Sequence, residues 1–466
     1  MHLKDRRGLE VSTRNTRSLD RFEKALDLTT SYFIDPLAEI NAAIADDPTC
    51  AFAHCLRAGL AVMSSERGAL PLIEESVAVI EGPGTGANDR ERRHAAAART
   101  WATGDFARAK AAYDALVVDY PRDQLAVQIA HVGDFFLGQS TMLRDRMAQV
   151  LPHWDASVPG YGYLLGMHAF GLEETANYAR AEDVGRHALA LNPRDPWAVH
   201  AVQHVFEMQG RIHDGIEWLN ATSANWADSA LAFHNWWHLA LHQLELGDIP
   251  AALDVYDRLV RPKETTIALE LIDASQMLAR IALRGGTVGS RWQALADCWS
   301  KTEEGGFYVF NDLHALLAFA FAGREQDARR MLEAIEKSAA GEGTNAENAR
   351  AVGLPVAYGI VAMAAGRPAE AVERLLPVRS RSYRIGGSHA QRDLVQLTAI
   401  GAALAARNGR LARALAAERT EQKPASPHNW RLTARALELQ GATFEARKAS
   451  EHAELRRRAQ LRRDAA

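Results

Sequence analysis

Apolar residues recur at intervals of three and four along almost the whole chain, and strand-like alternation is nearly absent. That spacing predicts amphipathic helices throughout. The stretch WATGDFARAKAAYDALVVDYPRD, from Trp101 to Asp123, shows how they are punctuated. Gly104 ends one helix, Phe106 packs the turn and Ala109 lets the next helix approach closely. Tyr113 and Leu116 face the core, and Pro121 stops the helix.

The same punctuation returns at Tyr178, Ala181, Ala188 and Pro193, and again at Gly247, Ala252 and Tyr256. It continues as Gly323 with Ala328, Gly366 with Ala371, Gly409 with Ala414, and Gly441 with Ala446. A helix pair of about 34 residues, repeated, is the signature of a tetratricopeptide-like unit. The expected fold is all-α: an N-terminal arm over residues 1–16, then one continuous tetratricopeptide-like α-solenoid over residues 17–466. Gly-rich tracts near 82–88, 284–289 and 385–388 read as loops within it.

Register gives the histidines a geometry. The first helix of each pair lines the concave surface. With Gly210 as the glycine between helices, His200, His204 and Glu207 of HAVQHVFEMQG point into the groove. With Gly247 in that role, His234, His238 and Glu245 of HNWWHLALHQLELGD do the same, and His242 falls at the periphery. One unit earlier Glu173 and Glu174 take groove places, while His168 packs. Adjacent inner helices lie about 8–10 Å apart, so neighbouring units can share one ligand. Downstream candidates are Asp273, Asp312 and His314, and the segment RIGGSHAQRDL. There His389 and Arg392 follow a Gly-Gly turn, where a helix N-terminus meets an anion. Superhelical curling would bring these across the lumen to the His cluster.

Composition narrows the partners. The 466 residues carry a net charge of −4, with no global basic field of the kind that nucleic acid requires. The basic C-terminal run ELRRRAQLRRDAA is expected to cap a final helix. No apolar run approaches the roughly 20 residues of a membrane span. The polar, charged N-terminal stretch is not expected to act as a signal peptide, and three scattered cysteines suit a reducing, cytoplasmic setting. The expectation is therefore neither nucleic acid nor membrane, with a homodimer through a terminal repeat left open.

The run GMHAFGLEETANYARAE, followed by GRHALALNPRDPWAVHAVQHVFEMQGR and HNWWHLALHQLELGD, resembles the tetratricopeptide repeat protein 38 family. The later segments RGGTVGSRWQALADCW, DLHALLAFAFAG and GGSHAQRDL are similar to it as well. The resemblance extends from Leu28 to Ala446. It implies a closed-up α-solenoid and no assigned chemistry.

Four readings of the cluster stay open. The histidines are satisfied core residues; or His200, His204 and His238 hold a divalent metal such as Zn or Fe. HAVQH lacks the glutamate of the zinc-protease helix H-E-x-x-H. In the third reading a small polar ligand binds against His200, His234, Glu173, Glu174, Trp237, Asp312, His314, His389 and Arg392. His204 and His238 then transfer protons and Glu207 orients one of them, giving hydrolysis or elimination. Trp197, Trp226, Trp236 and Trp237 are expected to wall that lumen. The fourth reading is a non-catalytic adaptor that grips a peptide. No G-x-S-x-G or P-loop supports covalent catalysis or nucleotide hydrolysis.

Overall fold

A computed structural model describes residues 3–461, apart from the side chain of Leu461. Residues 462–466, the end of the basic C-terminal run, and residues 1–2 of the arm lie outside the described residues. Antiparallel helices follow one another from Thr16–Thr30 to Thr443–Leu461, forming a tetratricopeptide-like α-solenoid. Among the described residues the only strands are Leu3–Lys4 and Glu10–Val11, paired in register Leu3↔Val11. This hairpin is pinned to the first repeats by Arg7, which is buried against Glu23 at 2.7 Å.

Inner and outer helices differ as their sequences require. Along the inner helix Pro196–Gln209, every residue from Pro196 to Phe206 is buried. In the preceding outer helix Tyr178–Leu191, only Ala181, Gly185 and Ala188 are buried. A helix buried all round needs partners on every side. Here they come from the superhelix curling back on itself. Tyr32 stacks on Trp197 with ring centroids 5.5 Å apart, and Tyr308 donates to the Phe136 carbonyl at 2.9 Å. Arg280 of the helix Ala268–Leu283 reaches Asp393 of the helix His389–Ala405 at 3.1 Å. Gln460 of the last helix donates to the Gly210 carbonyl at 2.6 Å. These crossings close the lumen down around what space remains in it.

Glycine marks most turns as the spacing predicts: Gly104, Gly210, Gly247, Gly323, Gly366 and Gly441 all have positive φ. The turn near 405–409 differs. Arg407, at φ 57°, takes the left-handed place, and Gly409 begins the next helix. The packing alanine therefore shifts by two, so Ala412 is buried and Ala414 is exposed. Gly409 is needed for another reason: a Cβ there would meet the Ala436 carbonyl oxygen at 2.9 Å. Cys50, Cys55 and Cys298 are buried free thiols. No described helix is long and apolar enough to cross a membrane.

Candidate functional site

The helix Pro196–Gln209 begins where Asp195 accepts from the backbone amides of Trp197 and Ala198, with Pro196 in the first turn. Gly210 ends it. The spacing of four puts His200 and His204 on one face, and their Nε2 atoms lie 2.9 Å apart. The next inner helix, Ala232–Leu246, presents His234 and His238 to the same point. His234 Nε2 is 3.0 Å from His200 Nε2, and the His204 and His238 ring centroids are 4.5 Å apart. All four histidines are buried.

Carboxylates stand on the far side of three of these rings. Asp273 Oδ2 is 2.5 Å from His234 Nδ1, and Glu207 Oε2 is 3.0 Å from His238 Nδ1. Glu173 Oε2 is 3.4 Å from His204 Nδ1. Behind them lie further partners: Lys423 donates to Glu207 at 2.7 Å, and Gln391 donates to Asp273 at 3.3 Å. Among the described residues, His200 Nδ1, His204 Nδ1 and His238 Nε2 have no hydrogen-bond partner. Burial, reinforced by the neighbouring rings, holds His200 and His238 well below the ordinary histidine range. Burial pushes the Glu207 carboxyl up, but Lys423 and His238 outweigh it and hold it well below the usual range.

A second cluster adjoins the first. His389 lies between Glu173 and Glu174, with its two ring nitrogens each 3.1 Å from a carboxylate oxygen. Burial pulls His389 down, but the two carboxylates outweigh it and raise it to about 10. The helix N-terminus after the Gly-Gly turn is taken by a carboxylate of the chain itself: Glu174 accepts from the His389 amide at 2.7 Å and from Arg392 at 3.2 Å. Gly386 permits the close approach there, since a Cβ would collide with the Tyr308 hydroxyl and the Phe136 carbonyl.

A cavity of about 340 Å³ opens onto the first cluster. Its walls are mainly apolar, with Phe33, Leu60, Met63, Phe135 and Trp197 among them. His200, His234, Asp273 and Gln391 form its polar end, whereas His204 and His238 lie behind and do not line it. A separate polar cleft of about 500 Å³ is lined by Arg379, Arg392, Asp393 and Glu418.

Several expected site residues sit elsewhere. Trp237 is fully buried and stacks on His234 with centroids 5.4 Å apart, so it supports the ring and does not line that cavity. Trp226 packs on Trp236 at 4.5 Å, and neither lines the cavity, which leaves Trp197 as the tryptophan that does. Asp312 accepts from the Gly306 amide at 3.0 Å and is raised to about 7 by burial, apart from the cluster. His314 is held by the Phe310 carbonyl at 2.6 Å and Gln276 at 3.0 Å, facing a void of about 40 Å³. His242, expected at the periphery, is buried against Gln203 because the outer helix Ile212–Thr222 packs over it at Gly215. Tyr32 and Phe33 on the cavity wall escaped the sequence reading, since nothing local ties them to residues well over a hundred positions later.

No protein-family model matches the chain. Among solved structures it is similar to the human IFIT1 dimer with PPP-AAAA: 14% identity, 98% of this chain and 88% of that chain, TM-score 0.35. The human IFIT1 dimer with m7Gppp-AAAA gives 14% identity, coverage of 97% and 91%, and a TM-score of 0.37. The P58(IPK) TPR domain gives 13% identity, coverage of 81% and 97%, and a TM-score of 0.22. These likenesses concern the helical-repeat fold alone.

Proposed function

We propose that this solenoid binds a small, mainly apolar molecule in its lumen and acts on the molecule's one polar group by hydrolysis or elimination. The observation carrying this reading is the cavity of about 340 Å³, apolar along its walls and bounded at one end by His200, His234 and Asp273. A concave apolar site with a few convergent polar groups favours a ligand that is oriented by its polar end. Apolar walls replace the polar ligand that the histidines alone suggest. His234, held by Asp273, is the proton carrier that reaches the cavity. His204 and His238 act through their neighbours.

The reading is tested with an environment-sensitive apolar fluorophore and a panel of chromogenic esters. Wild-type protein should bind the dye, and Leu60→Trp, which fills the cavity, should not. Ester turnover should fall in His234→Ala while dye binding persists. Wild-type protein that neither binds dye nor turns over any ester overturns it.

A second reading, the peptide-binding adaptor, draws on the tetratricopeptide-like fold and on the open cleft of about 500 Å³. Its lining carries both signs of charge, in Arg379, Arg392, Asp393 and Glu418, as suits a polar peptide segment. Binding to a peptide array that Arg379→Glu abolishes, with no dye uptake by the lumen, would favour it.

A further inference from the structure

His200, His204, His234 and His238 offer four ligand nitrogens that all lie within 4.8 Å of one another. We propose that this cage holds one divalent first-row transition-metal ion of the zinc type. The inference stands whether or not the cavity takes a ligand; with the ion bound, His234 Nε2 is one of its ligands, and the proton-carrying role proposed above belongs to the metal-free protein.

Proton counting carries the argument. A carboxylate accepts hydrogen bonds and does not donate. Asp273, Glu207 and Glu173 face the Nδ1 atoms of His234, His238 and His204. His234 and His238, hydrogen-bonded there, therefore carry their protons on Nδ1 and turn bare Nε2 lone pairs inward, whereas His204 Nδ1, 3.4 Å from Glu173, makes no hydrogen bond among the described residues. The fourth ring, His200, has one Nε2 with which to meet the other three. Even if that atom bears a proton, it satisfies one lone pair and leaves His238 Nε2, which has no partner among the described residues, buried without a donor. Each buried acceptor left without a donor loses its hydration and gains nothing in return. A cation at the centre satisfies all four nitrogens together.

The geometry fits that occupant. Four nitrogens at about 2.0–2.1 Å from a tetrahedral ion stand about 3.3 Å apart. The Nε2 separations of 2.9 and 3.0 Å widen by a few tenths of an ångström to admit it, and the remaining pairs, all within 4.8 Å, draw in by at most about 1.5 Å. Histidine ligands that donate their other nitrogen to a carboxylate are the usual outer arrangement of such sites, since it fixes tautomer and ring orientation. Two of the four rings have it, His234 with Asp273 and His238 with Glu207, and Glu173 stands 3.4 Å from Nδ1 of a third, His204. An all-imidazole set selects Zn, Fe, Ni or Cu over Mg or Ca, which take oxygen.

The adjoining set of Glu173, Glu174, His204 and His389 also brings its ligand atoms together. There, however, His389 and Arg392 already fill the space between the carboxylates as ion-pair partners. No ion is assigned to it.

The test uses the full-length protein, stripped with a chelator and titrated with Co²⁺ and then Zn²⁺. Expected are one equivalent of Co²⁺, a visible ligand-field band of nitrogen coordination, and its displacement by Zn²⁺. Replacing His204 or His238 by Ala should weaken binding by more than ~100-fold. Replacing His187, exposed on an outer helix, should change nothing. Helix content by circular dichroism accompanies every titration. Wild-type protein that is folded yet takes up neither ion overturns the proposal without recourse to any variant. A folded His204→Ala/His238→Ala double variant that still binds one equivalent overturns it as well. Dye binding on the same samples keeps the two readings separate: metal-free protein that binds dye rejects only the ion, and metal-loaded protein that excludes dye rejects only the cavity ligand.

Discussion

Asp273 and His234, on successive inner helices, meet at 2.5 Å, and the same aspartate receives Gln391 from a helix more than a hundred residues further along the chain. One carboxylate thus ties the ring nearest the cavity to the turn of the superhelix that closes over it. Two functions are combined in it, orientation of His234 and negative charge beside the cage. Replacements separate them. Asp273→Asn keeps an acceptor for Nδ1 but removes the charge, whereas Asp273→Ala removes both. Metal affinity, read by competition with a chromogenic chelator, should fall about 10-fold in Asp273→Asn and towards 100-fold in Asp273→Ala. Equal affinities in both variants and wild type would show that His234 needs no such support.

Closure of the superhelix rests heavily on Arg280. Its guanidinium is buried, reaches Asp393 at 3.1 Å and donates to the Ala390 carbonyl. It also lies over the Trp237 ring at 5.6 Å, beneath the His234 helix. Removing one partner of a buried pair leaves an uncompensated charge, which costs about 3–5 kcal/mol. Asp393 keeps Arg419 at 2.8 Å, so Arg280→Met should fall near the lower end, about 3 kcal/mol. Urea denaturation measures that loss. Small-angle scattering should show a larger radius of gyration for Arg280→Met, because the crossing between the two helices is weakened. An unchanged radius with unchanged stability would contradict this role.

Two glycines distinguish backbone contact from side-chain contact. A Cβ on Gly171 would collide with backbone atoms of Leu143 and Arg144 on the neighbouring helix. A Cβ on Gly185 would meet the Val202 Cγ2 at 2.6 Å, the end of a side chain. Helices must part to admit the first methyl, while a rotation or small shift of Val202 eases the second. Gly171→Ala should therefore destabilise by about 3 kcal/mol and Gly185→Ala by about 1 kcal/mol. The midpoints of chemical denaturation check the order. Equal losses would mean that the helix pair carrying Gly171 yields as readily as a side chain.

Much of the fold was legible because helix spacing and turn glycines are local signals. Gly104, Gly210, Gly247, Gly323, Gly366 and Gly441 each supply the positive φ that their turns demand. The one misplaced turn follows the same physics, since Arg407 takes the left-handed place and frees Gly409 for a close helix contact. Local register likewise puts His200 with His204 and His234 with His238. It does not say which distant helix covers a given face. His242 is buried because Gly215 lets a helix sit on it, and Trp237 is sealed beneath Arg280. Tyr32 and Phe33 reach the cavity only once the superhelix has closed. Asp273 stands between these cases: an acid in an apolar helix is visible in the sequence, but its partner His234 depends on the step between repeats.

Asp195 offers a test of burial at the entrance to the His200 helix. Its Oδ1 accepts from the amides of Trp197 and Ala198, and its Oδ2 is buried without a partner among the described residues. Burial raises its carboxyl from 3.8 to about 7, the two backbone amides opposing the rise only in part. Between pH 4 and 7, roughly, the folded protein retains a proton that the unfolded chain has released. Stability contributed by this group is therefore full below the unfolded value and is lost as pH rises through about 7. Asparagine keeps the cap, since its side-chain oxygen accepts from the same amides, but it never ionises. Asp195→Asn should thus gain on the wild type as pH rises, by about 3 kcal/mol between pH 5 and pH 8. Other titrating groups are common to both proteins and cancel in the difference. Urea denaturation of the pair at the two pH values reads it directly. A gap that stays constant, or narrows, with rising pH would mean that Asp195 is ionised in the folded protein throughout, with Oδ2 reached by water or by a cation.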